Sequence, residues 1–304
     1  MSNRIVCRPK SLPRDQWVRA AQEAAKVNPA NRAPVERMAT LFRREIPREY
    51  IAAVTTKYWR SGGVRLSVQF LDTNNAELRT KILANMNAWG TRASVRFVAT
   101  DGQGEVRIAR KGGDDGGYWS YVGTDILQIP VDAPTLNLES FTVSTPDSEF
   151  VRVVRHETGH TMGFPHEHMR QDLVAKIDPA KAVTFFRATQ GWSEAEVYAQ
   201  VLTPIEESSL IGTPDADGSS IMCYQIPGSI TRDGQPILGG TDIDEQDYAF
   251  VAKLYPKTPT DDNASGSNGS NGHRVTIPGG SVLWFAPGTD PSYIATVVAA
   301  FRVQ

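Results

Sequence analysis

The sequence predicts an α/β fold, and three observations predict it. A strand, an amphipathic helix and two more strands follow one another from Val64, a second strand region precedes a helix near residue 146, and capped helices come after it. Before these, residues 11 to 46 read as two helices. Pro13 and Pro34 suit first helical positions, and Trp17, Ala21 and Ala24, then Met38, Leu41 and Phe42, recur at helical spacing. The run VRLSVQF from Val64 is a strand, Glu77 to Trp89 an amphipathic helix, and SVRFV and EVRIAR two further strands. Gly112, Gly113, Gly116 and Gly117 mark a loop.

ILQIP (126–130) and TLNL (135–138) form the second strand region. Pro146 can start the next helix, with Thr145 as its N-cap. Asp178 and Ser193 cap two more helices, the second through a capping box with Glu196, and Asp244 caps a last one reaching Leu254. Residues 258–273 have the composition of a flexible polar linker, and residues 274–304 read as a short β-rich tail too small to build a core alone. The chain therefore divides into a helical N-terminal segment (1–47), a main domain (48–257), the linker and the tail.

Composition narrows the function. With 304 residues, 40% hydrophobic and 22% charged, the chain can bury a sizeable core. A net charge of −2 offers no basic footprint for nucleic acid or anionic membrane, and no run reaches the roughly 18 apolar residues of a membrane span. The expected partner is a protein or peptide. Cys7 and Cys223 allow at most one disulfide. The opening MSNRIVCRPKSLPRDQ lacks the apolar core of a secretory signal, which points either to the cytoplasm or to export without a classical signal. Oligomeric state and substrate identity leave no mark in the sequence.

Four of the five histidines lie in the run VRHETGHTMGFPHEH. On a helix, His156 and His160 share a face and can reach one ion, with Glu157 beside them to hold a water. Gly163 can take a positive φ, end the helix and turn the chain so that His166 arrives as a third ligand. Three protein ligands with a fourth position open describe a catalytic zinc rather than a structural one.

The run HETGHTMGFPHEHMRQD resembles the astacin signature HExxHxxGFxHExxRxD at His156, Glu157, His160, Gly163, Phe164, His166, Glu167, Arg170 and Asp172. SIMCY, Ser220 to Tyr224, resembles the Met-turn, GYWSYVG (117–123) is similar to a family motif with cysteine in place of Tyr118, and TDIDEQDYAFVAKLY resembles the closing helix. The resemblance spans about residues 57 to 256. It implies a metzincin fold: a twisted, mostly parallel sheet with an active-site helix, a zinc cleft, and an irregular lower subdomain carrying the Met-turn.

The implied activity is a zinc-dependent endopeptidase, with Zn2+ held by His156, His160 and His166. A zinc-activated water would lose its proton to the general base Glu157, and Tyr224 would ligate zinc or donate to the oxyanion. Met222 would lie under the zinc as an apolar floor. The alternative is a catalytically weak zinc protein acting as a binding module. His168 is expected outside the ligand set, as a neighbouring or surface residue. Glu167 is either a contact for a processed N-terminus or a plain carboxylate. TLNL is expected to be the edge strand that pairs with extended substrate.

Residues 1–47 stand where a pro-segment would, and could also brace the domain. The family's aspartate switch FxGD is absent from residues 1–56. Cys7–Arg8–Pro9 invites comparison with the cysteine switch of matrixins, but without the surrounding motif Cys7 reads as a free terminal cysteine, and Cys223 as a small buried residue.

Overall fold

Val64–Phe70 forms strand β1 because its alternation buries Val64, Leu66, Val68 and Phe70 and turns Arg65 outward. The computed structural model describes residue 7 and residues 10–32, 55–205 and 216–257, with the backbone of 273–276 and 282–285. It divides into two compact units, Met1–Thr258 and Pro259–Gln304.

In the first unit, β1 is joined by β2 (Val95–Ala99), β3 (Val106–Ala109), β4 (Tyr118–Ser120) and β5 (Leu136–Leu138) in one sheet of order β2-β1-β3-β5-β4. Pairing is parallel from β2 to β5, and only β4 runs antiparallel. The crossover from β1 to β2 is the helix α2 (Ala76–Met86). Asn75 caps it by accepting from the Leu78 N–H, and Leu78, Ile82 and Met86, one turn apart, form its buried stripe.

Two sequence expectations change here. Residues 126–130 do not form a strand: Gly123–Gln128 is a 3-10 helix that buries Ile126 and leaves Leu127 exposed. The turn is possible because Gly123 has φ +49 and lies so near the Lys57 carbonyl that a Cβ would overlap it. The edge strand is β4, not TLNL. β5 is interior, and its buried Asn137 spends its amide on the carbonyls of Lys111, Asp115 and Gly117 in the glycine loop.

Helix α3 (Arg155–Thr161) follows a helical lead-in from Asp147 that widens to π-helical bonding over Phe150–Val154. Thr145 is not its cap, since its hydroxyl accepts from the Thr142 N–H in the preceding turn. At the far end the usually orphaned carbonyls are satisfied from outside: Trp59 Nε1 donates to Thr161 O and Tyr255 Oη to Met162 O. The helix is thereby clamped between residues from both ends of the domain.

Below α3 the chain is irregular, as expected, with its own core of Leu173, Ile177, Phe186, Trp192, Val197 and Val201. Asp178 caps α4 (Pro179–Gln190), Ser193 and Glu196 close a capping box on the short helix Glu194–Val197, and Asp244 caps α5 (Glu245–Leu254). Before the sheet, α1 (Trp17–Val27) buries Ala20, Ala21 and Ala24. The second helix expected in 34–46 lies outside the described residues. The second unit contributes an antiparallel pair, β6 (His273–Thr276) and β7 (Val282–Phe285).

Candidate active site

α3 places His156 and His160 on one face, one turn apart, and both are buried. Gly163 ends the helix at φ +105, where a Cβ would press on the Lys57 carbonyl and the Tyr58 ring. The reversal brings His166 back under the helix. His156 Nε2 lies 3.2 Å and His160 Nε2 3.0 Å from His166 Nε2.

Backbone carbonyls choose the tautomers. His156 Nδ1 lies 2.6 Å from Ile221 O and His160 Nδ1 2.7 Å from Phe164 O, so these nitrogens donate and each Nε2 is left as a lone pair. Lone pairs converging in a buried space call for a cation. Burial pushes His156 down to about 4, and holds His160 and His166 well below the usual imidazole range. All three are neutral donors at physiological pH. A tetrahedral zinc, with Zn–N about 2.0–2.1 Å, holds its nitrogens about 3.3 Å apart, close to the spacing seen.

A fourth donor is present, a residue whose sequence context invites comparison with the cysteine switch of matrixins but reads as a free terminal cysteine. Cys7 is buried, with its Sγ 3.4 Å from His160 Nε2, and one donor atom from each of Cys7, His156, His160 and His166 lies within 4.8 Å of the others. The reading of Cys7 as a detached terminal cysteine is therefore corrected. No local motif could have shown this, since the two residues are 153 positions apart.

Glu157 follows His156 and is buried, with no hydrogen-bond partner at Oε2 among the described residues. Burial pushes its carboxyl up to about 8, opposed by the Cys7 thiol and the Arg152 charge. Tyr224 lines the same cavity as Glu157. Its ring centroid is 4.2 Å from that of His166, and its hydroxyl donates to the Cys7 carbonyl. His168 is buried rather than exposed: it stacks on Tyr224 at 4.0 Å and 15°, with Nε2 donating to Gln200 O. It is not in the donor cluster.

Met222 meets the helix at Gly159, where a Cβ would fall 2.3 Å from its sulfur. The turn that carries it is tied to α5. Asp247 accepts from Ser220 Oγ at 2.6 Å and from the Ile221 N–H at 3.0 Å, and Ile221 is the residue that orients His156. Asp247 is thus a support that the sequence reading missed; its signal was the carboxylate three residues beyond the Asp244 cap. Glu167 accepts from the Asp217 N–H and pairs with Arg170, beside a cavity also lined by Tyr58, Trp89 and Phe164. Asp172 is exposed.

Residues 52–183 match the family model described as Astacin, a peptidase family. Among solved structures, one of myroilysin is 27% identical with a TM-score of 0.62, covering 66% of this chain and 97% of that one. A second structure of myroilysin is 28% identical with a TM-score of 0.50, over 66% and 86%. High choriolytic enzyme 1, a hatching-enzyme zinc protease of the medaka fish Oryzias latipes, is 17% identical with a TM-score of 0.46, over 66% and 96%. Comparison with curated proteins gives no match. The parallel sheet, the helix-borne imidazoles and the family match over residues 52–183 converge: the chain has a metzincin-type fold, is similar to the astacin family and is a zinc-dependent metalloendopeptidase.

Proposed function

We propose that His156, His160 and His166 hold the zinc, that Glu157 is the general base, and that Tyr224 stabilises the oxyanion of the scissile peptide. Bound zinc supplies Lewis-acid polarisation of the carbonyl and acidifies the attacking water. Glu157 takes that water's proton on its unpartnered oxygen and later delivers it to the leaving amine. Burial raises its proton affinity, which favours uptake of the water's proton once a cation beside it keeps the carboxylate ionised.

The observation that carries this reading is the bond from Tyr224 Oη to the Cys7 carbonyl. The phenol already donates to a peptide carbonyl beside the imidazole cluster, in the place and with the polarity that an oxyanion donor needs. Stacking on His168 holds the ring in that direction. The edge strand β4 supplies free backbone groups for an extended peptide, and Lys10 N already donates to Ser120 O at 3.1 Å.

The test measures zinc content and peptide turnover in full-length chains, both wild type and Cys7→Ala, so that an occupied cleft does not hide a competent site. Glu157→Gln should keep about one zinc per chain and lose roughly a hundredfold or more of turnover. Tyr224→Phe should lower kcat with KM little changed, because an oxyanion donor acts in the transition state. Full zinc occupancy with no turnover in either host would leave a binding module in place of an enzyme. Turnover within a few-fold of the host after Glu157→Gln would remove the assigned base.

A further inference from the structure

We propose that the Trp119 ring and the Asp115 carboxylate form a subsite for a basic side chain, so that the cleft selects peptides with lysine or arginine about three residues before the scissile bond. The inference rests on the peptidase reading above and names a substrate class for it.

An extended segment of the chain already lies along the edge strand. Cys7 bridges Tyr118 and Lys10 bridges Tyr121, both on the free side of β4, and Lys10 N donates to Ser120 O. An extended substrate would pair with the same backbone groups. The Lys10 side chain then marks where a side chain leaving that edge is received. Its Nζ lies 4.8 Å over the Trp119 ring and 3.6 Å from Asp115 Oδ1. An aromatic face beside a carboxylate attracts a cation twice over and repels an acidic side chain.

The two recognising groups are held in place by the fold. Trp119 is buried, and Tyr121 packs edge-on against it at 6.1 Å and 84°. The Asp115 carbonyl accepts from Trp119 Nε1 at 3.0 Å and from Asn137 Nδ2 at 3.3 Å, so the glycine loop presents its carboxylate from a fixed turn. That side chain stays 60% exposed with Lys10 beside it, and at 3.6 Å the pair is an ion pair without a hydrogen bond. The resident lysine is therefore exchangeable, and the longer guanidinium of arginine can reach the same carboxylate. Burial and then the Asp115 charge raise the Tyr121 hydroxyl above the usual phenol range, so the negative charge reaches the aromatic pair.

The geometry of β4 says which half of a substrate meets this subsite. Tyr118, at the start of the strand, lines the cavity that holds His156, Glu157 and Tyr224. Ser120 meets the far end of α3, its Oγ 3.1 Å from Thr161 Oγ1. Passing from Tyr118 to Tyr121 thus leads away from Glu157. Because Glu157 hands its proton to the leaving amine, the leaving half lies on its side and the acyl half runs toward Tyr121. Cys7 Sγ lies 3.4 Å from His160 Nε2, and Lys10 is three residues on, about 10 Å of extended chain. The same span sets a substrate's basic residue about three positions before the bond that is cut.

The test uses the full chain carrying Cys7→Ala and Lys10→Ala, which takes the resident side chains out of the cleft. Fluorogenic peptides carry either lysine or glutamine at one position, scanned along both sides of the scissile bond. Lysine should raise kcat/KM about tenfold on the acyl side, most strongly at the third residue. Asp115→Lys in the same chain should abolish that preference and favour glutamate there, a reversal that mere damage to the loop would not produce. Dissociation constants for the same peptides on the Glu157→Gln form give a reading free of turnover, and lysine should again win by about tenfold. Equal kcat/KM and equal Kd across all pairs would overturn the subsite and leave the zinc peptidase standing. So would a preference confined to the leaving side, or one that Asp115→Lys leaves intact. A lysine preference in Kd with no turnover in the parent chain would uphold the subsite and overturn the peptidase reading.

Discussion

Gly159 shows how little room a single residue leaves at this site. It faces Met222 with no side chain of its own, and a Cβ there would stand 2.3 Å from the Met222 sulfur and 3.5 Å from the Trp89 ring. The thioether can shift, but only into a packed core. Gly159→Ala should therefore cost about 1–3 kcal/mol in denaturant unfolding, as overpacking usually does, despite the better helix propensity of alanine. It should also lower zinc affinity, because Met222 belongs to the turn whose Ile221 carbonyl orients His156. A variant as stable as wild type would show that the turn yields freely. The same stretch shows what local sequence carries: helical spacing sets His156 and His160 on one face, and Gly163 takes the positive φ read from its position. His168, by contrast, was placed no closer than a neighbour or the surface, because its stack on Tyr224 joins two segments far apart in sequence.

Among the elements, α5 and the segment after α1 are each held to the domain through one buried polar side chain. Asp247 accepts from Ser220 Oγ and from the Ile221 and Asp244 N–H groups, the last of these bonds closing the capping box of α5. Asp247→Asn turns an amide NH2 toward these donors. It should cost about 1–3 kcal/mol and weaken zinc retention, read as faster metal loss to a chelator. Retention equal to wild type would confine Asp247 to capping α5. Asn31 donates from Nδ2 to Ala24 O and Tyr58 O and accepts at Oδ1 from the Tyr58 N–H and Thr56 Oγ, and Asn31→Ala removes all four bonds. A loss of about 2–4 kcal/mol in denaturant unfolding is expected. Stability equal to wild type would show that water replaces these bonds.

For the whole molecule, acid sensitivity follows from the balance of buried groups. His156 is pushed down to about 4 and His168 to about 3, in each case chiefly by burial, and His160 and His166 are lowered too. Each native value lies below the unfolded one near 6.5, so the unfolded chain binds more protons in that window. The stability these histidines contribute is present above about pH 6.5 and is lost as pH falls toward 4. Asp247 acts in the opposite sense. Burial raises it to about 6, so its contribution falls as pH rises from about 4 to 6. Glu157, raised by burial to about 8, works in the same sense as Asp247, its contribution falling as pH rises from about 4.5 to 8. Four imidazoles are lowered against the three raised carboxyls Asp125, Glu157 and Asp247, and the histidines set the sign. Unfolding free energy should fall between pH 7 and pH 4.5, and more steeply with zinc bound, because ligation also needs neutral imidazole. A flat profile from chemical denaturation at the two values would show that these imidazoles are hydrated in solution.

By itself, the sequence determined the fold class, most strands of the sheet, the helix caps at Asp178, Ser193 and Asp244, and the meeting of His156, His160 and His166. Each of these is written in short-range periodicity, turn chemistry or a compact motif, so neighbours in sequence suffice to specify it. Only the tertiary structure decided that β4 rather than β5 is the edge, that residues 123–128 turn instead of extending, that Asp247 carries the Met-turn, and that Cys7 stands at the metal site. Those outcomes depend on pairings such as Cys7 with Tyr224, 217 residues apart, whose free energy comes from burial and hydrogen bonds closed across the whole chain, and such closure leaves no period in the sequence.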